Sequence, residues 1–428
     1  MKPLHALLGL LLLAGCVSTQ IRKDSLDTIA ADYVRMSLEI GEREPGYVDA
    51  YYGPAEWQEA AKAAPRTAPA LAVEAASLSA RLARLDPARL APIERRRRAF
   101  LLAQLKAAST RLRMLQAEKL SFADEAEGLF GVRPDLKPLS HYDPVLARIG
   151  KLVPGAGPLS DRVDAFQNGF TIPRERLKPV FDAAIAECRR RTAEHIALPA
   201  GESFTMEFVT GKSWSGYNYY KGGLNSLIQI NTDLPIRISR AVDLGCHEGY
   251  PGHHALNMLL EHKLTRGRGW IEYSIYPLYS PQSLIAEGSA NYGIDLAFPG
   301  AERLAYETRA LYPLAAIPTG RAAEYLALLK AIRDLTGARF TIARDYLEGR
   351  IDRAGAIALT RKYQLVSQAR AEQSIAFTDQ YRSYVINYGL GQDMVRADVE
   401  AAGATPQARW KRMKQLLSEP TLPSDLRD

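Results

Sequence analysis

The residues that could carry chemistry are concentrated in one short segment. Three of the seven histidines in the 428-residue chain fall within residues 246–254: His247, His253 and His254. Glu248 stands beside the first of them. Neutral imidazoles are common zinc ligands, and a nearby carboxylate can take the proton of a water molecule that the metal has made acidic. The segment therefore predicts a zinc-dependent hydrolytic site with His247 as a ligand and Glu248 as the general base.

The spacing departs from the usual zinc-binding helix, in which two histidines four residues apart share one face. Pro251 and Gly252 are inserted here, so the next histidines come six and seven residues after His247. Proline cannot donate a backbone hydrogen bond, and glycine tolerates irregular dihedral angles. We therefore expect a bulge that interrupts the helix and returns His253 to the ligand position, with His254 as the rival ligand.

A third protein ligand is expected from a second helix. Glu287 lies 34 residues after His253, which leaves room for a loop and a helix that passes the first one. Two other carboxylates compete for this role. Glu261 lies on the continuation of the first helix, and Glu272 follows a glycine-rich turn with a weaker helical pattern. Glu287 is the predicted ligand.

The elements that must position these residues are mostly helices. Apolar residues recur every three or four positions in segments such as 101–115 and 325–335. Two short β-prone runs, 204–208 and 226–231, break this pattern and are bracketed by glycines. The sequence therefore predicts a mainly α fold with a small antiparallel β-ribbon beside the metal-binding helix.

A stretch rich in proline and glycine, residues 154–158, marks the clearest break in the chain. It predicts a boundary between an N-terminal helical lobe, residues 16–158, and a catalytic lobe, residues 159–428, although the two could form one compact unit. Cys188 and Cys246 are expected to be buried free thiols, because their sequence separation says nothing about their distance. An oxidising compartment would permit a disulfide between them.

Residues 1–15 have the pattern of a signal peptide. The apolar run at 7–13 is far shorter than the roughly 20 residues that cross a bilayer. Residues 13–16 resemble a bacterial lipobox, which implies cleavage before Cys16 and acylation of that residue. Because Val17 follows the cysteine, we expect a lipid-anchored protein at the periplasmic face of the outer membrane.

The net charge of +7 is spread along the chain, and only the four arginines at 95–98 form a run. We interpret this run as a solvated helix face, since export removes the protein from nucleic acids. No nucleic-acid partner is expected, and the oligomeric state is left open.

The segment 247–254 also resembles the signature of the bacterial domain-of-unknown-function family 885. The likeness extends to other parts of the chain: residues 230–232, 287–288, 49–54, Tyr384 and 388–389. It implies a large helical fold of the zincin metallopeptidase group, in which the metal-binding helix carries an insertion. The implied activity is that of a zinc metallopeptidase acting on a peptide or peptide-like substrate.

The zincin resemblance also implies roles for individual residues. Glu248 would act first as a base and then as an acid toward the leaving amine. An edge strand would pair with the substrate backbone, with contributions from Ile228, Ile230 and Asn231. A hydrogen bond to the oxyanion would come from one of three tyrosines: Tyr219, Tyr384 or Tyr388. The choice between exopeptidase and endopeptidase action stays open. Two alternative functions also stay open: hydrolysis of a non-peptide ester, amide or cell-wall amide, and a non-catalytic role as a partner-binding lipoprotein.

Overall fold

The computed structural model describes residues 24–426, and helices predominate in this range. Eight of them precede the three-stranded sheet: α1 (Leu26–Arg43), α2 (Ala55–Ala63), α3 (Ala68–Arg84), α4 (Pro92–Leu115), α5 (Phe122–Phe130), α6 (Asp143–Leu152), α7 (Leu159–Asn168) and α8 (Leu177–Ala193). The strands are short: β1 (Val48–Tyr51), β2 (Ser203–Val209), β3 (Gly216–Gly222), β4 (Asn225–Asn231) and β5 (Ile275–Pro277). The predicted mainly α fold is confirmed.

The remaining helices follow the sheet: α9 (Ser239–Leu244), α10 (His253–Leu260), α11 (Pro281–Ala297), α12 (Glu302–Tyr306), α13 (Tyr312–Ala315), α14 (Ala322–Arg333), α15 (Thr336–Leu347), α16 (Arg353–Gln364), α17 (Gln368–Tyr381), α18 (Ile386–Ala401) and α19 (Pro406–Leu416). Three π-helical turns extend α9, α10 and α12: Gly245–Gly249, Glu261–Arg266 and Glu307–Leu311. None of the helices within residues 24–426 has the length and apolar character that crossing a membrane requires.

The three-stranded sheet has the order β2-β4-β3. β4 pairs with β3 in the antiparallel direction and with β2 in the parallel direction. The predicted antiparallel ribbon of 204–208 with 226–231 is therefore wrong in its pairing. The segment between the two runs forms β3, which turns tightly into β4 at Gly222 and Gly223, both at positive φ. This hairpin occupies one edge of β4 and leaves only the other edge for β2.

A second, two-stranded sheet joins the start of the chain to the region after the metal-binding segment. β1 pairs with β5 in the antiparallel direction, with Ala50 opposite Tyr276. This pairing brings Asp49 of β1 toward the part of the chain that contains the three clustered histidines.

One apolar core contains residues from both sides of the proline-rich stretch 154–158, from Leu26 of α1 to Trp410 of α19. A smaller apolar cluster joins α6 to α14 and α15, through residues such as Ile149 and Leu328. The stretch 154–158 itself lies in the loop between α6 and α7. The boundary between two lobes remains a prediction.

The arginine run at 95–98 lies in α4 and is not one solvated face, so that interpretation is wrong. Arg97 is only 3% exposed. Its guanidinium pairs with Glu272, at 2.6 Å, and with Asp27, at 2.6 Å. Arg96 reaches Glu419 near the end of the described chain. The run joins α4 to distant segments, because helical spacing turns successive arginines toward different neighbours.

Candidate metal centre

The segment predicted to bind the metal is a helix that is interrupted and then resumes. α9 continues into the π-helical turn Gly245–Gly249, the chain leaves the helix, and α10 begins at His253. The Gly252 N–H donates a hydrogen bond of 3.1 Å to the Cys246 carbonyl, which closes a wide loop. A Cβ atom at Gly252 would lie 1.8 Å from the His247 carbonyl oxygen, so only glycine fits. The predicted interruption of the helix is present.

This loop brings two histidines together with a carboxylate from α11. The Nε2 atoms of His247 and His253 lie 3.1 Å apart. Oε2 of Glu287 lies 3.2 Å from Nε2 of His247 and 3.7 Å from Nε2 of His253. Two ligands of a tetrahedral zinc ion, each about 2.0–2.1 Å from the metal, lie about 3.3–3.4 Å apart. The three atoms therefore have the separations of a zinc site.

The state of the Glu287 carboxylate also fits a bound cation. Its Oε2 atom is buried and has no hydrogen-bond partner among residues 24–426. A buried, ionised carboxylate oxygen without a hydrogen donor is costly unless a cation compensates it.

Asn291, four residues after Glu287 on α11, orients the first histidine. Its side-chain nitrogen donates to the Tyr388 carbonyl at 3.0 Å, so its Oδ1 atom must accept a hydrogen bond. That atom lies 3.1 Å from Nδ1 of His247. Nδ1 therefore carries the proton, and the lone pair of Nε2 is directed at the cluster.

Tyr384 orients the carboxylate ligand. It lies in a short turn before α18, and its hydroxyl donates a hydrogen bond of 2.8 Å to Oε1 of Glu287. The helix that carries Glu287 and the helix that follows Tyr384 approach closely, since a Cβ atom at Gly288 would lie 2.4 Å from the Gly391 carbonyl oxygen. The predicted oxyanion donor Tyr384 thus already has a partner in the carboxylate.

Glu248 lies beside the cluster and is 4% exposed. Its carboxylate forms no hydrogen bond or ion pair with any residue of the described range 24–426. Burial raises its pKa, while His247 and His253 act in the opposite direction. A Cβ atom at Gly216 would lie 2.7 Å from Oε1 of Glu248, so the backbone of β3 passes directly over this carboxylate. Such a group is poised to accept a proton.

The rival histidine points elsewhere. His254 is fully buried, with Nδ1 2.8 Å from the Ser226 hydroxyl and Nε2 3.1 Å from Oε2 of Glu202. Both of its ring nitrogens are therefore engaged away from His247. The structure places His253, and not His254, in the cluster.

The two competing carboxylates also have partners outside the cluster. Glu272 pairs with the buried Arg97. Glu261 accepts hydrogen bonds from the Tyr220 hydroxyl and from the backbone N–H groups of residues 223 and 224, and pairs with Arg266. Neither is available to the two histidines.

A disulfide anchors the metal-binding segment from behind. Cys246, directly before His247, is joined to Cys188 of α8 with an S–S distance of 2.08 Å. The expectation of two free thiols is therefore wrong. α8 packs against the π-helical turn Gly245–Gly249, and this packing brings the two Cα atoms to 5.4 Å.

The strand predicted to pair with substrate, β4, is not an edge strand, so that prediction is wrong. β4 is the central strand of its sheet, so its backbone is already paired on both sides. Ile228 and Ile230 are buried in the core. Asn231 donates hydrogen bonds to the carbonyls of Lys212 and Trp214 and thereby holds the loop before β3. The edge strand nearest Glu248 is β3.

A cavity of about 630 Å³ opens in front of the cluster. Its wall includes His247, Glu248, His253, Glu287, Tyr384 and Tyr388. The ring of Tyr388 lies nearly parallel to that of His247, with centroids 6.4 Å apart. Tyr219 does not belong to the residues that line the cavity; its ring packs against that of Tyr217, at 4.4 Å.

Sequence reasoning missed three groups of the site. They are Asn291, Asp49 and Arg339, and nothing in a single sequence marks these residues as neighbours of the cluster. Tyr217 donates a hydrogen bond to Asp49, and burial raises the pKa of that aspartate to about 6. Arg339 of α15 also lines the cavity. Cys16 lies outside the described residues.

No family model matches the chain, and no curated protein matches it. The resemblance to family 885 therefore remains an expectation. Among solved structures, a protein described as a lipoprotein, from Colwellia psychrerythraea, aligns at 16% identity and a TM-score of 0.48, over 84% of this chain and 68% of that chain. An M32 carboxypeptidase from Deinococcus radiodurans R1 aligns at 16% identity and a TM-score of 0.37, over 92% and 88% of the two chains. At TM-scores below 0.5, these alignments assign neither a fold nor an activity.

Proposed function

We propose that this protein is a zinc-dependent hydrolase that cleaves peptide bonds. The observation that carries the proposal is the convergence of His247, His253 and Glu287 beside Glu248, whose carboxylate forms no hydrogen bond or ion pair within residues 24–426. A site that only stored a metal would not need an unpaired carboxylate at that position. The non-catalytic alternative is therefore disfavoured.

The residues of the site have separate proposed roles. His247, His253 and Glu287 would hold the zinc, which when bound lowers the pKa of water to about 7 and polarises a carbonyl group. Glu248 accepts the proton of the attacking water, and its raised pKa suits it to release that proton to the leaving amine. Tyr388, which lines the cavity beside His247, is the best-placed donor for the developing oxyanion.

The substrate backbone would lie along β3. This strand is at the edge of its sheet and passes over Glu248 at Gly216. An extended peptide can pair with such an edge through main-chain hydrogen bonds, which are independent of the peptide's sequence. Asn218 of β3 donates to the Glu248 carbonyl at 2.8 Å and so fixes the strand to the metal-binding segment.

A peptide library incubated with the zinc-loaded full-length chain tests this function, with products identified by mass spectrometry. Cleavage should stop after chelation, return with zinc, and be absent in Glu248→Gln. Glu324→Gln, which removes an exposed, ion-paired carboxylate, is the matched control and should cleave normally. Cleavage that persists in the chelated protein would contradict the proposal. Cleavage of esters but of no peptide would assign the site to a non-peptide substrate.

The lipobox at residues 13–16 supports a location for this activity. We infer an exported protein, anchored by an acylated Cys16 at the periplasmic face of the outer membrane. Labelling of the cells with a fatty-acid analogue, followed by membrane fractionation of the wild type and Cys16→Ala, tests this inference.

A further inference from the structure

The arginines that line the cavity differ in whether they have a partner. Arg303 pairs with Asp243 at 2.8 Å, and Arg333 pairs with Asp295 at 2.8 Å. Both charges are thus neutralised within the protein. Arg339 lines the same cavity and has no such carboxylate.

Arg339 forms no hydrogen bond or ion pair with any residue between 24 and 426, and its Nε atom is buried. Its guanidinium lies over two aromatic rings, at 5.2 Å from the centroid of Phe377 and 5.7 Å from that of Tyr388. Burial lowers the pKa of this group, yet an arginine stays protonated at neutral pH. A partly buried cation with unused donors is costly unless an anion binds it.

The position of Arg339 relates it to the bond that would be cleaved. Tyr388 contacts the Arg339 guanidinium, and its ring is stacked on that of His247. One aromatic side chain therefore separates the cation from the metal ligands. Consecutive Cα atoms of a peptide are about 3.8 Å apart, so a peptide spans the width of one aromatic side chain with few residues. The anion that Arg339 binds would therefore belong to a residue close to the cleaved bond.

We propose that Arg339 binds the terminal α-carboxylate of the substrate, so that the protein removes residues from the carboxyl end of short peptides. This inference rests on the proposed function and adds the substrate class. The planar guanidinium matches a carboxylate in a two-bond fork, and the rings of Phe377 and Tyr388 provide an apolar wall for the last side chain. Arg370 also lines the cavity and adds positive potential, since its guanidinium donates a hydrogen bond to the neutral Pro235 carbonyl.

Binding to a protein that cannot turn over tests the carboxylate site without relying on activity. Glu248→Gln, loaded with zinc, is titrated calorimetrically with N-acetylated tripeptides that end in a free carboxylate or in an amide. The free acid should bind ~10–100-fold more tightly than the amide, as expected for hydrogen bonds between charged groups. Adding Arg339→Gln should remove this preference, and Arg339→Lys should restore part of it.

Arg333→Gln is the matched control, because it removes the same charge from the same cavity but from an arginine that already has a partner. It should keep the preference for the free acid. Equal binding of acid and amide in Glu248→Gln would overturn the inference without any Arg339 variant. Tight acid binding together with an absence of peptide cleavage by the wild type would contradict the proposed function and leave the carboxylate site standing.

Discussion

The Tyr384 hydroxyl donates a hydrogen bond of 2.8 Å to Oε1 of Glu287, while Oε2 of the same carboxylate faces Nε2 of His247 at 3.2 Å. One oxygen is thus held by the protein and the other is left for a metal. Such indirect contacts fix the orientation of a ligand. We therefore propose that Tyr384 positions Glu287, the proposed third ligand.

Removing this hydrogen bond should weaken metal binding. Tyr384→Phe keeps the ring but frees the carboxylate to rotate, so zinc affinity should fall by ~10–100-fold. A competition titration with a chromophoric chelator measures the change. Tyr388→Phe is the matched control, because the Tyr388 hydroxyl has no hydrogen bond to Glu287; zinc affinity should be preserved. Equal zinc affinities in Tyr384→Phe and the wild type would show that the contact does not hold the ligand.

Glu248→Gln should lose turnover and retain zinc. The amide has the size of the carboxylate but cannot accept a proton from water, and loss of a general base costs ~10²–10⁴-fold. Steady-state rates on a cleaved peptide, together with metal analysis of the same sample, separate catalysis from binding. If Glu248→Gln cleaved the peptide at a near-normal rate, the assignment of Glu248 as the general base would be contradicted.

The Cys188–Cys246 disulfide should contribute to the stability of the metal-binding segment. It closes a loop with a sequence separation of 58 residues, so Cys188→Ser should lower the free energy of unfolding by about 2–4 kcal/mol. Urea denaturation of the variant and of the wild type measures the loss, and the reduced wild type serves as the control. Recovery of unlinked Cys188 and Cys246 peptides from the native protein would refute the disulfide.

The buried Glu202 should make stability depend on pH. Burial alone would raise its pKa, but hydrogen bonds from His254, Tyr250 and Arg189 outweigh burial and lower the pKa to about 2. Because the folded pKa lies below the unfolded value of about 4.3, the ionised form stabilises the fold above roughly pH 5. This contribution is lost as the pH falls toward 2.

Urea denaturation at pH 6 and pH 3.5 checks this expectation. The difference in unfolding free energy between the wild type and Glu202→Gln should shrink by about 0.5–1 kcal/mol at the lower pH, after allowance for solvent screening. Glu194→Gln, at an exposed and ion-paired position, is the control and should show little change. A difference that is constant across the pH range would rule out the buried carboxylate as the cause.

Local signals in the sequence predicted the centre of the site. Pro251 and Gly252 cannot continue a regular helix, and the interruption predicted from them is present in the structure. Glu287 lies on a long helix that is far enough along the sequence to pass the helix of His247. The structure brings Glu287 to His247 and His253. The metal itself and the catalytic roles remain proposals.

Relationships between distant segments were not predictable in the same way. The parallel pairing of β2 with β4 depends on β3 occupying the other edge, which no pattern within 204–208 or 226–231 indicates. The disulfide depends on α8 packing against the π-helical turn Gly245–Gly249. The burial of Arg97 depends on Glu272, which lies 175 residues further along the chain. Each of these contacts is set by packing and has no local counterpart in the sequence.

Metal content after substitution of the two neighbouring histidines tests the central claim most directly. The wild type, His253→Ala and His254→Ala are purified without chelator, and their zinc is measured by elemental analysis. His262→Ala, at an exposed position, is the control. We expect about one zinc ion per chain in the wild type and in His262→Ala, and loss of zinc in His253→Ala. His254→Ala should also keep its zinc, because both ring nitrogens of His254 are engaged by Ser226 and Glu202. Full zinc content in His253→Ala, or an absence of zinc from the wild type, would contradict the account.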